Sequence, residues 1–302
     1  MRGVSKAIAV MALLLRLGRA FYAVRRSVNV QLRTPLRRLL ATDAGATDII
    51  SQVEAEADVS MLQSVLELQG FDVLDMKDRK KFHPLVVPLA RDKEDMVLGV
   101  LRWATPEEGK PLPVIRTKEN SPGVELVSQS TDLYAKRVAI EAFAAAEANA
   151  ANLVNAADAL GLVQVWEADA RKDVTLFTML KVGAFPDLYR KQALKHFAGG
   201  SEDSALVACE RANDLFKGWG AGYAFYAHLL KQIQHRSMES RDAARVALRM
   251  PVWSLGGALD NMGYEDVVAR VAELADYTGT EALRLMYAKL ADDKREEEVQ
   301  GG

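Results

Sequence analysis

From Thr131 onward the chain reads as one helix after another, and the clearest of them carry a single apolar stripe. Within 203–216 the residues Ala205, Ala208, Cys209, Ala212, Leu215 and Phe216 recur at spacings that fall on one face, while Glu210, Arg211, Asn213 and Asp214 fall off it. At about 3.6 residues per turn the first six share one side of a helix. Val267, Val268, Val271, Leu274 and Ala275 repeat the arrangement within 265–276. A helix with one apolar stripe is marginal alone in water and must bury that stripe against a neighbour. Helix-on-helix packing is therefore required over the second part of the chain.

These helices come in pairs. Residues 188–197, a Gly199-Gly200 turn and 203–216 make one pair; 221–234, a turn at Arg236-Ser237 and 238–250 make the next, closed by Pro251. Aligning Ala205 with Ala243 sets a repeat of 38 residues. The pattern is similar to a degenerate tetratricopeptide-like array, whose period is about 34; a one-off helical bundle is the alternative. Thr131-Asp132 opens an alanine-rich segment read as a long helix through Leu160 and closed by Gly161. Thr278-Gly279-Thr280-Glu281 matches a capping box for a last helix that ends in a charged run over 292–298.

Residues 43–130 differ in kind. They hold Pro84, Pro88, Pro106, Pro111, Pro113 and Pro122 and the clearest strand patterns. Ser51-Gln52-Val53-Glu54 fits a capping box, and Met61, Leu62, Val65, Leu66 and Leu68 form a helical stripe stopped by Gly70. A short strand is expected over 71–74, a hairpin from 85–90 and 96–103, and weaker strands over 112–116 and 124–127. Pro84 and Pro88 assign the first hairpin strand to a sheet edge, since proline cannot donate to a ladder. The expected fold is an α-rich α+β protein: an organelle leader over 1–42, a small α+β module over 43–130, and tetratricopeptide-like helical hairpins over 131–302.

Charge sets the first 42 residues apart. They contain nine basic residues and no acid, which leaves 30 basic against 41 acidic residues over 43–302, a net of −11. An acid-free, arginine-rich start has the composition of an organelle transit peptide. Arg38-Leu39-Leu40-Ala41 resembles a mitochondrial processing site, so the expected destination is the mitochondrial matrix, with cleavage near Ala41. Gly18-Arg19-Ala20-Phe21 resembles the junction of a two-part plastid address, and the plastid stroma is the alternative. The apolar run over 7–15 is too short to span a bilayer, which takes about 20 residues. No transmembrane segment is expected. The acidic remainder argues against general nucleic-acid binding, which relies on clustered Lys and Arg. Asp78-Arg79-Lys80-Lys81 reads as a solvated turn.

One family resemblance lies in the hairpins. Leu188-Tyr189, Lys195-His196, Ser204-Ala205-Leu206-Val207, Asp242-Ala243-Ala244-Arg245, Ala247-Leu248 and Pro251-Val252-Trp253-Ser254-Leu255-Gly256 resemble a family of organelle-targeted plant and algal proteins associated with assembly of the chloroplast ATP synthase. The resemblance covers about residues 186–256 and implies an organelle helical-repeat protein with no catalytic residues to carry over.

Residues that could carry chemistry are few. His228 and His235 stand seven apart, about 10.5 Å along a helix, too far to share an ion. The single cysteine, Cys209, excludes an intrachain disulfide and sits on an apolar helix face as an inert thiol. Gly218-Trp219-Gly220-Ala221-Gly222 is glycine-rich but lacks a preceding strand and a following Gly-Lys-Ser/Thr, so it reads as an inter-hairpin turn. No cofactor or metal is expected. The aromatic residues Phe216, Trp219, Tyr223, Phe225, Tyr226 and Trp253 either fill the hairpin junction or line a groove for a partner, and Trp219, Tyr223 and Trp253 are the partner-binding candidates. The expected function is a non-catalytic scaffold or assembly factor for a multisubunit organelle complex, possible clients including the ATP synthase. The alternatives are a permanent accessory subunit and an enzyme without a local motif.

Overall fold

The runs 86–90, 97–101 and 112–115 are almost wholly apolar, and strands with no polar face must be buried on both sides. The computed structural model describes Val53 and residues 59–103, 110–170 and 172–277. In it these runs form an antiparallel sheet of five strands in chain order: β1 (Asp72–Val73), β2 (Val86–Arg91), β3 (Met96–Leu101), β4 (Val114–Lys118) and β5 (Val124–Ser128). The expected hairpin is β2–β3, with Val86 opposite Leu101 and Arg91 opposite Val97. β2 is the second strand rather than the edge, but β1 pairs only with Ala90 and Arg91. Pro88 therefore faces no β1 partner, and the β2–β3 register shifts between Pro88 and Ala90.

Side-chain alternation sends Val87, Leu89, Leu98, Val100 and Val114 to one core, and Val86, Leu101, Ile115, Val124 and Leu126 to another. The first core is covered by α1 (Val59–Leu68), α2 (Thr131–Ala144), α3 (Ala150–Ala156), α4 (Leu160–Ala168) and α5 (Val174–Phe177). Trp166 of α4 meets Phe177 of α5 edge to face, ring centres 5.1 Å apart. α1 stops where expected: Gly70 takes a φ of +82°, and Phe71 N–H closes on the Leu66 carbonyl at 3.0 Å.

The single long helix expected over 131–160 is instead three helices. α2 ends as Ala146 turns left-handed at φ +54° and Glu147 N–H reaches back to the Ala142 carbonyl at 3.0 Å. Asn149 Nδ2 then donates to the Leu68 carbonyl at the end of α1, 2.6 Å away. Asp158, at φ +48°, makes the second break, and Gly161 lies inside α4. Alanine favours helix wherever it stands but marks no face, so packing on α1 and the sheet sets where the helix turns.

The second part is two antiparallel hairpins and a further helix: α6 (Pro186–Ala198) with α7 (Glu202–Leu215), α8 (Gly220–Gln232) with α9 (Ser237–Arg249), a 3₁₀ turn (Val252–Leu255), and α10 (Tyr264–Leu274) against α9. The first helices start 34 residues apart, at 186 and 220, and the second helices 35 apart, at 202 and 237. The true repeat is thus shorter than the 38 residues read from Ala205 and Ala243. Ala205 is fourth in its helix and Ala243 seventh, so the two do not occupy equivalent positions.

The protein is therefore an α-rich α+β fold, a small antiparallel sheet followed by helical hairpins. Residue 130 marks a change of secondary structure, and packing continues across it. Ser130 Oγ accepts from Leu133 N–H at 3.1 Å to cap α2, whose Tyr134, Val138 and Ala139 enter the same core as α1 and the sheet. The two capping boxes, at 51–54 and 278–281, and the leader expected over 1–42 lie outside the described residues, except Val53. Among the described residues no helix is long and apolar enough to cross a membrane.

Candidate partner-binding surface

The junction between the hairpins is built by two short glycine-containing segments that lock into each other. After α7, Gly218 turns the chain at φ +86° and delivers Trp219 and Gly220 to the start of α8. A side chain at Gly220 would place its Cβ 2.9 Å from Leu255 and 3.0 Å from the Ala247 carbonyl, so only glycine admits the close approach. Gly220 N–H donates to the buried Ser254 Oγ at 2.8 Å, and Ser254 O–H donates to the Pro251 carbonyl at 2.6 Å. The hydroxyl thus ties the 3₁₀ turn to the first amide of α8. Gly256 abuts the β5 backbone, where an added Cβ would lie 2.5 Å from Val124 N. The glycine-rich segment is a packing turn, as its missing strand context implies.

This lock fixes the aromatic residues. Trp219, 6% exposed, joins Phe216 over Val86, Leu101, Ile115, Val124 and Leu126, so it is a core residue and not an exposed anchor. Trp253 is half-buried at the border of that core, edge-to-face with Trp219 at 5.4 Å and tilted against the His83 ring at 5.3 Å. Tyr223 is half-buried on α8, apart from this ring cluster. Phe225 is buried beneath the Arg190 guanidinium, 5.6 Å from its ring centre, and Tyr226 O–H donates to Glu210 at 2.8 Å. Of the three candidates, Trp219 is buried, while Tyr223 and Trp253 are each half-buried, Trp253 with the His83 ring against it.

Sequence reasoning missed the roles of His83 and Arg79. His83 Nδ1 accepts from Leu85 N–H at 3.3 Å, and burial pushes the imidazole pKa down, favouring the neutral ring. Arg79 lies in the run read as a solvated turn, yet its Nε donates to the Val86 carbonyl at 3.0 Å and its terminal nitrogen to the Pro84 carbonyl. Its pKa is lowered, first by burial and then by the nearby Arg102. The signal was present in Phe82-His83-Pro84, which directly follows the basic run.

A small cleft of about 40 Å³ opens between α6, α7, α8 and β5, among Arg190, Asn213, Phe216, Trp219 and Phe225. That volume accommodates a few waters. Arg190 is committed to Asp260 at 2.9 Å, and the Asn213 carbonyl oxygen lies against Gly222. Cys209 also lines it; burial first, then Glu210, pushes the thiol pKa up to about 12, which leaves it protonated and unreactive. Among the described residues no group of three His, Cys, Asp or Glu is placed to hold a metal ion.

Two family models match the chain. The PAB N-terminal domain covers residues 47–175, and the PAB middle domain covers 186–278. The chain is also 30% identical over 286 residues to the Arabidopsis thaliana protein In Chloroplast ATPase Biogenesis, chloroplastic, covering 91% of this chain and 82% of that protein. The chain belongs to the PAB family. The family resemblance read from the hairpins thus extends over nearly the whole chain. No solved structure matches it. The PAB N-terminal match takes in the sheet and α1 to α4, and the PAB middle match takes in both hairpins and α10. Arg137 of α2 bridges the two matches through a paired hydrogen bond to Asp187 of α6, 2.7 Å on each side.

Proposed function

We propose that this chain is a non-catalytic assembly factor for the plastid ATP synthase, which holds protein partners during assembly and converts no substrate. The observation that carries the reading is the relative named for chloroplast ATPase biogenesis, aligned along most of both chains. The architecture is consistent with it, since stacked hairpins offer extended surfaces to other proteins. In this reading residues 1–42 are an import leader removed near Ala41, the sheet and its helices form a rigid base, and the hairpins within 131–302 present the partner surface.

The destination changes from the one first expected. Mitochondrial and plastid leaders are both basic, serine-bearing and poor in acids, so their composition does not separate them. Nothing in the comparisons supports the mitochondrial matrix, whereas the relative's chloroplast address favours the plastid stroma suggested by Gly18-Arg19-Ala20-Phe21.

Expression of the full chain in an Arabidopsis thaliana line lacking the relative is expected to raise the amount of assembled ATP synthase, measured after native gel separation. A fusion of residues 1–42 to a fluorescent protein is expected in plastids. An unchanged ATP synthase level despite plastid accumulation of the chain would overturn the assembly reading. Fluorescence confined to mitochondria would overturn the address.

A further inference from the structure

Asn213 of α7 is only 6% exposed, yet its carbonyl oxygen has no hydrogen-bond partner within the protein. A buried amide costs the fold free energy unless something meets it. Asn213 lines the cleft between α6, α7, α8 and β5, with its oxygen against Gly222. A Cβ at Gly222 would stand 2.4 Å from that oxygen. Glycine thus keeps a side chain off the amide, inside a helix where alanine would otherwise be favoured. The buried wall of the cleft is apolar, made by Leu126, Phe216, Trp219 and Phe225. Its two charged lining groups are engaged elsewhere, Glu125 with Arg116 at 2.8 Å and Arg190 with Asp260 at 2.9 Å. A charged ligand would therefore find its counter-charges already paired, and a purely apolar one would leave the amide unmet.

We propose that this cleft seats a neutral carboxamide side chain, Asn or Gln, of a protein partner, with Asn213 as its hydrogen-bonding mate. Two carboxamides match, since each offers N–H donors and a carbonyl acceptor. The Asn213 group can turn about its last bond to present either end to the cleft. Size agrees as well: the cleft takes a few waters, and a side-chain carboxamide is about that large. Water in the cleft is displaced at small cost by a group that repeats its hydrogen bonds. The proposal deepens the assembly-factor reading and rests on it for the partner. Free small amides share the chemistry, but stacked hairpins hold polypeptide in the grooves between their helices.

The test titrates the full chain, its asparagines labelled with heavy nitrogen for NMR, with acetamide, acetone and acetate, which are nearly equal in size. Acetamide is expected to shift the Asn213 side-chain signals saturably at millimolar concentration. Acetone, which cannot donate, and acetate, which is charged, are expected to shift them at least about fivefold less at equal concentration. Asn213→Leu, close to Asn in shape, identifies these signals by their loss. It is expected to melt no lower than the parent, because it removes an unmet polar group. No acetamide shift, an equal shift by acetone or acetate, or a lower melting temperature for Asn213→Leu would each overturn the proposal. In the Arabidopsis thaliana line lacking the relative, Asn213→Leu accumulating as the parent does is expected to restore at most about half as much ATP synthase. Full restoration by Asn213→Leu despite the acetamide shift would assign the cleft to a free amide and overturn the partner. No restoration by the parent removes the proposed client, and the acetamide titration then decides the cleft by itself.

Discussion

Arg137→Ala is expected to destabilise the folded chain by about 3 kcal/mol, seen as a fall in Tm of roughly 6–12 °C by calorimetry or circular dichroism. The side chain is 12% exposed and donates through both terminal nitrogens to Asp187, through Nε to Glu141, and lies 4.8 Å above the fully buried Phe185 ring. Removing it strands a partly buried carboxylate and uncovers an aromatic face. Because Asp187 keeps 35% side-chain exposure, water offsets part of the loss, and the figure sits at the low end for a broken buried pair. Arg137→Lys should recover only part, since a single ammonium cannot make the paired contact.

The same pair sets a pH dependence. Burial pushes the Asp187 pKa up, but the Arg137 hydrogen bonds and charge more than reverse this, so it stands below its ordinary value. Its contribution is complete above the unfolded carboxylate pKa of about 4 and is lost as pH falls through the lower folded value. The gap between parent and Arg137→Ala should hold steady from about pH 6 to 8 and narrow below about pH 4. A gap that widened in acid would mean that Asp187 is not held ionised by Arg137.

Val271→Asp is expected to be more damaging, at about 4 kcal/mol or above, because it puts a charge where no partner waits. Val271 is fully buried on the α10 face that meets α9 and α8. Leu206→Asp, 6% exposed in α7, should follow closely. Glu210→Ala removes only the exposed end of the Tyr226 hydrogen bond and should cost about 0.5–1 kcal/mol. Equal melting temperatures for the three variants would contradict the helical faces themselves.

The legibility of these features in the sequence follows physical lines. The hairpins were readable because a stripe such as Ala205, Cys209, Ala212 and Phe216 can be buried in one way only. The strand pairs were readable too, since Val and Leu runs bracket a charged turn. What covers the second sheet face was not readable, because it depends on contacts between segments more than a hundred residues apart, such as Gly256 on Val124. The same long-range lock decides that Trp219 is core while Trp253 reaches the surface; their local sequences, each beside small residues, do not distinguish them. The breaks at Ala146 and Asp158 were hidden by alanine, which carries propensity without direction.

The central claim is that the chain acts on ATP synthase during assembly and leaves the finished enzyme. Its most direct test is a pulse-chase in plastids, with newly made ATP synthase subunits followed through native gel separation and the chain tracked alongside. The account predicts that the chain migrates with incomplete assemblies early in the chase, far below stoichiometry, and is absent from the mature enzyme. Stoichiometric retention in the mature complex, or migration with no ATP synthase subunit at any time, would contradict it.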